Sequence, residues 1–334
     1  MNRRTALKLS ALSSSLIAAP SLMSFTKSKQ QSRDKAQNNT SGFLQFQMGD
    51  LDLLMLSDGY VPLPSIQPIV APDTSASDVN LTMAEIFQKT KDVELGLNIL
   101  LINKGDRKIL IDTGIGSHFD SSGGWLPQSL EKAGIATDEI TDIFITHAHR
   151  DHIGGILDQE GILIFKNATY YISQEEFDFW TGKNPDFSAS KYQGDHQKSI
   201  AFSSTILRKI EDKIHFYQSG DVLFDCLKTE LAAGHTPGHT IFSLFSKDQS
   251  LTHIVDIVHH QLLIEKPHWG IQFDVDFNKG IATRKKVLQK MAEQKDLLLS
   301  MHLPWPGMGH IIQTGDATFK WIPLAYSTPK RVSL

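Results

Sequence analysis

The sequence predicts an α/β protein. Short apolar runs of strand length alternate with segments of helical spacing from Phe43 onward, and a β-hairpin is followed by a buried strand that ends in a cluster of histidines. The 334 residues are 40% hydrophobic and 21% charged, which is globular usage and excludes a disordered, collagen-like or coiled-coil chain. That length suits one large α/β unit or two small ones. Neither a tandem repeat nor a long Pro/Ser linker interrupts residues 43–334, so one domain is expected there.

The elements follow in order. Asp52 to Ser57 and Gly96 to Asn103 read as strands; after the turn Lys104-Gly105-Asp106 the chain returns from Lys108 to Asp112, a hairpin that ends in Asp112-Thr113-Gly114. Trp125 to Ala133 has the pattern of a short amphipathic helix stopped by Gly134, and Asp142 to Thr146 is the next buried strand. Thr169 to Ser173, Thr229 to Ala233, Ile241 to Phe245, His253 to Val255 and Leu297 to Met301 are further strand candidates, and Lys279 to Gln294 is helical.

The first residues differ from the rest. Met1 to Ser10 carries Arg3, Arg4 and Lys8 and no acid, and Ala11 to Ala19 is a short apolar run too brief to span a bilayer. Residues 1–30 are therefore expected to hold an export signal, cleaved near Ala18, Ala19 or Ser24. Arg3-Arg4 resembles a twin-arginine signal, although Thr5-Ala6 fits that pattern only in part. Residues 31–42 read as a polar linker and 43–334 as the folded domain. The expected location is periplasmic or secreted, with no stable membrane anchor.

Charge and cysteine usage narrow the chemistry. Lys plus Arg number 33 against 37 Asp plus Glu, a net charge of −4, so no basic excess points to nucleic acid. Cys226 is the one cysteine, which excludes an intrachain disulfide and cysteine-rich zinc sites. Histidines, at 14, are plentiful. Three of them and one aspartate fall within His147-Ala148-His149-Arg150-Asp151-His152, just after the buried strand. On a tight loop, side chains at i and i+2 can converge on one ion while the next Asp and His turn to a second. Neutral imidazole with carboxylate suits zinc, iron or manganese.

This H-x-H-x-D-H string resembles the signature of the metallo-β-lactamase-fold hydrolases. His235, in Gly234-His235-Thr236-Pro237-Gly238-His239, is similar to that family's third motif; Asp256 after His253 to Val255 and His302 after Leu297 to Met301 match its remaining positions. The resemblance implies a four-layer αββα sandwich. It further implies that His147, His149 and His235 hold one divalent ion, that Asp151, His152 and His302 hold the other, and that Asp256 joins them. Zinc is the first expectation, with iron, manganese and cobalt open. One departure is Val255, where many members have Gly before the bridging Asp.

Longer strings narrow the resemblance. Asp256-Ile-Val-His259-His260, Phe273-Asp274-Val275-Asp276 with Ala282-Thr283-Arg284, and His302-Leu-Pro-Trp-Pro-Gly307 resemble the branch containing methyl parathion hydrolase and secreted N-acyl homoserine lactonases. That branch implies Phe119 and Trp180 as aromatic pocket walls; its members are often dimers, and the oligomeric state of this chain stays open. Leu63 and Ile66 are expected to add an apolar lid. Asp112 is read either as the group that orients an ion-bound imidazole or as a turn cap. His239 is read as structural. Of His259 and His260, one is expected to bond a ligand carboxylate or face the pocket. His118, His196, His215, His253 and His268 lack a motif and read as surface or packing residues.

Two divalent ions about 3.5–4 Å apart bring a shared water toward neutral pKa, so a hydroxide nucleophile needs no separate base. Asp151 is the expected catalytic carboxylate, both ligand and proton carrier. No G-x-S-x-G string is present and Cys226 has no motif partner, which leaves no serine or cysteine nucleophile. The expected reaction is metal-dependent hydrolysis of an apolar lactone or ester. The alternatives are phosphotriester hydrolysis and a non-catalytic periplasmic metal-binding protein on the same fold. A flavodiiron enzyme is disfavoured by His149 and by the lack of a flavodoxin domain, and a nuclease by the lack of a basic face.

Overall fold

The structure is a computed structural model that describes residues 42–118, 121–325 and 331–333. The predicted export signal, the linker through residue 41 and Phe119 lie outside the described residues. The first half runs β1 (Phe43–Met48), β2 (Leu51–Ser65), α1 (Ala76–Glu85), β3 (Lys91–Lys104), β4 (Arg107–Ile111), α2 (Leu126–Lys132), β5 (Asp142–Phe144), α3 (Arg150–Ile153), β6 (Thr169–Ser173), α4 (Gln174–Thr181), α5 (His196–Lys209) and β7 (Ile214–Tyr217). The second runs β8 (Val222–Leu223), β9 (Leu227–Leu231), β10 (Thr240–Ser246), β11 (Gln249–His253), α6 (Leu262–Glu265), α7 (Phe277–Gln294), β12 (Leu297–Leu299), β13 (Met308–Gly315), β14 (Thr318–Pro323) and β15 (Arg331–Ser333).

These strands form two mixed sheets, ordered β15-β1-β2-β3-β4-β5-β6-β7 and β14-β13-β12-β11-β10-β9-β8. In the first, β1 to β4 are antiparallel neighbours and β4 to β7 are parallel; in the second, only β11 and β12 run parallel. The side-chain period of two explains why the strands are apolar on both faces. Leu53, Met55, Leu100, Ile102, Ile109, Ile111 and Phe144 point to a core shared with Phe242, Leu244 and Leu299 of the other sheet. Their neighbours Leu54, Leu56, Ile99, Leu101, Leu110, Ile143 and Ile145 point away, to Leu126, Leu130, Phe177, Ile206 and Leu207 on α2, α4 and α5. On the far side Ile241, Leu298 and Ile311 meet Val79, Met83, Leu262, Leu263, Val287 and Leu288 on α1, α6 and α7. Three cores between four layers make the αββα sandwich of the metallo-β-lactamase type.

Side-chain caps begin the helices that frame the site. Ser173 Oγ accepts the Glu176 N–H at the start of α4, Asp195 accepts the Gln197 N–H on α5, and Asp276 accepts the Lys279 N–H on α7. The strand Thr169 to Ser173 and the helix near Lys279 to Gln294 lie within two residues of observed elements, and the predicted hairpin forms with its first strand beginning five residues earlier, at Lys91. The strand expected over Thr229 to Ala233 begins and ends two residues earlier, and Val255 belongs to a 3₁₀ turn after β11 rather than to a strand. The lid expected at Leu63 and Ile66 is not formed. β2 continues to Ser65 against β3, and both residues are buried in the core beneath α1.

Candidate metal centre

The predicted ligand residues all follow the C-terminal ends of strands on one rim of the sandwich: His147 to His152 after β5, His235 after β9, Asp256 after β11 and His302 after β12. His149 has extended backbone (φ −70°, ψ 161°), so His147 and His149 project to the same side. Asp151 and His152 sit in the first turn of α3, and the His152 ring packs 3.9 Å from that of His147. Gly234 (φ +137°) turns the His235 loop against α7, where a Cβ would collide with the Gly280 backbone.

The ring nitrogens converge. His149 Nδ1 lies 3.1 Å from His147 Nε2 and 2.9 Å from His235 Nε2. Asp256 Oδ2 is the common centre, 3.1 Å from His259 Nε2, 3.2 Å from His235 Nε2 and His302 Nε2, 3.3 Å from His152 Nε2 and 3.7 Å from His147 Nε2. Asp151 Oδ2 lies 3.4 Å from His302 Nε2 and 3.9 Å from His152 Nε2. Donors about 2.0–2.1 Å from a tetrahedral ion stand about 3.3 Å from one another, so these separations fit His/Asp coordination. His152 Nε2 and Asp256 Oδ1 are buried in the cluster without a hydrogen-bond partner, the condition of ligand atoms facing an ion.

Electrostatics favour the ligand forms of His147, His149 and Asp256, whereas, against burial, the carboxylates facing His152, His235 and His302 hold these imidazoles above their usual range. Burial, then the neighbouring His152, holds His147 well below the usual imidazole range; burial, then His235, does the same for His149, so both are neutral. Asp256 stays far below the carboxylate range although burial opposes it, because His302, His152 and His259 face it. Burial would lower His235 too, but Asp256 and Asp274 outweigh it and bring it up to about 9.

The remaining ring nitrogens are oriented from behind. Asp112 Oδ2 accepts from His152 Nδ1 at 2.7 Å and also takes the Thr146 hydroxyl at 2.7 Å, so Asp112 is an orienting group rather than a turn cap. Asp274 Oδ1 accepts from His235 Nδ1 at 2.9 Å, the Gly96 carbonyl from His302 Nδ1 at 2.9 Å, and Thr146 Oγ1 lies 3.2 Å from His147 Nδ1. His239 donates through Nδ1 to the Ala232 carbonyl and accepts the Asp256 N–H on Nε2, a structural role. His259 joins the cluster. His260 does not: its Nδ1 accepts the Leu262 N–H at the start of α6, and it lines a separate small cavity with Glu94 and Pro304.

A cavity of about 510 Å³ opens over the cluster. Trp180, Phe187, Tyr192, Phe202 and Phe273 form its aromatic wall, and Val61, Leu95, Ile115, Arg150, Lys198 and His196 also line it. Trp180, which the resemblance implied as a wall, lines this cavity and lies 5.6 Å from His149 in edge-on contact. His196, read from sequence as a surface or packing residue, stacks on Phe187 at 4.3 Å and lines the cavity. His253 is buried against Phe242.

Sequence reasoning passed over two buried acids. Asp58 lies in the irregularity between Ser57 and Tyr60 where β2 slips against β3, and its carboxylate accepts the Ile115 and Leu126 N–H groups. Glu176 follows Ser173 at the spacing of a capping box, a local signal that masked it. Its side chain instead turns inward to four donors on the ligand loops and Trp180.

Comparison with known proteins agrees with this geometry. The Metallo-beta-lactamase superfamily profile matches residues 93–302. The structure of AidC, a dizinc quorum-quenching lactonase in complex with a hexanoyl-homoserine product, is 35% identical over 86% of this chain and 99% of its own, with a TM-score of 0.82. The hydrolase AbOPH in the beta lactamase superfamily is 30% identical over 86% and 99%, with a TM-score of 0.78. A probable metal-dependent hydrolase from Staphylococcus aureus shares the fold at 18% identity, covering 84% of this chain and 100% of its own, with a TM-score of 0.67.

Proposed function

The chain belongs to the metallo-beta-lactamase superfamily, and from that premise we propose that it is a two-metal hydrolase that opens an apolar lactone, or cleaves an apolar carboxylic ester. The convergence of His147, His152, His235 and His302 on Asp256 Oδ2, with His149 beside His147 and His235 and with Asp151 beside His302, next to an aromatic cavity, carries this reading. His147, His149 and His235 would hold one ion and Asp151, His152 and His302 the other, with Asp256 between them. When bound, two divalent ions supply Lewis-acid charge and make water a nucleophile near neutral pH.

The chain's own residues do the rest. Asp274, Asp112, Thr146 and the Gly96 carbonyl fix the imidazoles, so the ligand set is organised before substrate arrives. The aromatic wall takes the apolar acyl part and excludes water from it. Asp151, partly exposed to the cavity, takes the proton that water gives up on attacking the carbonyl and returns it to the leaving oxygen as the acyl C–O bond breaks. The products are a carboxylate and an alcohol, joined in one molecule when the substrate is a lactone.

Initial rates of the zinc-loaded protein on an N-acyl homoserine lactone, an aryl ester, a phosphotriester and a β-lactam test the assignment. A preference for the lactone or ester, lost to chelator and restored by metal, is expected. Preference for the phosphotriester would overturn it in favour of the alternative that the same aromatic cavity accommodates. We further propose that the protein acts outside the cytoplasm, on the strength of the basic and apolar run at residues 1–30. A mature chain shortened by about 20–30 residues is expected, and an intact Met1 in the exported protein would contradict it.

A further inference from the structure

We propose that Glu176 is a positioning residue that ties both loops holding the first ion's ligands to the wall of the substrate cavity, an inference that rests on the two-metal reading above. Glu176 is fully buried on α4 and touches no predicted ligand itself. Its Oε1 accepts the Ala148 N–H at 2.8 Å, between His147 and His149, and the Trp180 indole N–H at 2.7 Å. Its Oε2 accepts the Thr236 hydroxyl at 2.6 Å and the Gly238 N–H at 3.0 Å, in the loop that begins with His235.

One carboxylate thus joins segments more than eighty residues apart, and all four donors are spent on it. A carboxylate has acceptor sites for four donors and offers none in return, which is what this pocket of donors requires. Trp180, held by the same oxygen as Ala148, lies edge-on to His149 and forms part of the cavity wall. Placement of the ion ligands and placement of the substrate wall therefore share a single anchor.

The two oxygens separate the two effects. In Glu176→Gln the amide NH₂ can face only Thr236, whose hydroxyl accepts as well as donates; Ala148 and Trp180 keep the remaining oxygen, and the Gly238 N–H loses its acceptor. The His235 loop is loosened while the cavity wall is kept. Trp180→Phe does the reverse, since it changes the wall and leaves Oε2 with both its donors.

The test loads the full chain, Glu176→Gln, Thr236→Val and Trp180→Phe with zinc, and measures release of zinc to a chromophoric chelator, KM and kcat on a medium-chain N-acyl homoserine lactone, and thermal midpoint. Glu176→Gln is expected to lose one of two zinc ions about 10–100-fold more readily with KM within about threefold of wild type. Trp180→Phe is expected to raise KM while holding both ions as wild type does. Thr236→Val follows Glu176→Gln more weakly, and carries the test if the glutamine variant does not fold. Wild-type zinc retention in both Glu176→Gln and Thr236→Val would overturn the role of Glu176, as would a fall in thermal midpoint with no change in zinc release. A wild-type chain that binds no zinc would instead overturn the two-metal reading.

Discussion

Asp274 stands between the His235 imidazole and a buried cation: its Oδ1 lies 2.9 Å from His235 Nδ1, and its Oδ2 lies 3.5 Å from the Arg284 guanidinium. Arg284 is itself held by the Ile257 and Trp269 carbonyls, so α7 fixes, through Asp274, the orientation of the His235 ring.

Asp274→Ala removes the acceptor that sets the His235 ring. Metal affinity is expected to fall about 10–100-fold, measured by zinc competition with a chelator. Affinity equal to wild type would show that packing alone orients His235.

Val255 precedes Asp256 with φ +49°, a left-handed conformation that a β-branched residue rarely adopts. It is held by the His253 ring, which accepts the Val255 N–H. In ordinary backbone Gly is less stable than Ala, but here the order should reverse: Val255→Gly is expected to exceed Val255→Ala by about 1 kcal/mol in urea unfolding. The opposite order would show that this turn relaxes.

Burial pushes the Asp58 carboxyl up to about 7, against the Ile115, Leu126 and Gly124 amides that favour its charge. An unfolded Asp titrates near about 3.9, so over the interval from there to about 7 the folded chain holds a proton that the unfolded chain has lost. The stability tied to that proton is complete below the lower value and lost as pH rises through the upper one. Asp58→Asn cannot titrate, so its deficit relative to wild type in urea unfolding should shrink between pH 4.5 and pH 8. A constant deficit would contradict the shift.

Phe187 belongs to the aromatic wall and stacks on His196. Phe187→Ala is expected to raise KM for a decanoyl lactone several-fold more than for a butanoyl lactone, because burial of each methylene contributes about 0.8 kcal/mol. An equal rise for both chain lengths would place the acyl chain elsewhere.

The sequence exposed what is local. His147 to His152 was legible because four uncommon groups crowd into one loop, and Asp112 because it closes a strand at a turn. Val255 already stood out against the family resemblance, and its positive φ shows the backbone consequence. Glu176 was hidden by a spacing that looks like an ordinary helix start, and Asp58 by its place in a bulge, which breaks the period that pattern reading relies on. Phe187, Phe202 and Phe273 come together from separate segments, and only the fold brings them to one cavity. Leu63 and Ile66 misled because apolar residues near prolines suit a lid and a core equally well.

The most direct test of the two-metal hydrolase is a titration of the metal-stripped protein with zinc, following bound ions per chain and the initial rate on an N-acyl homoserine lactone together. The rate should be negligible without metal, rise with occupancy and level off at two ions per chain, with Asp256→Ala failing to reach that plateau. Lactone hydrolysis that is undiminished in the stripped protein, or absent with two ions bound, would contradict the account.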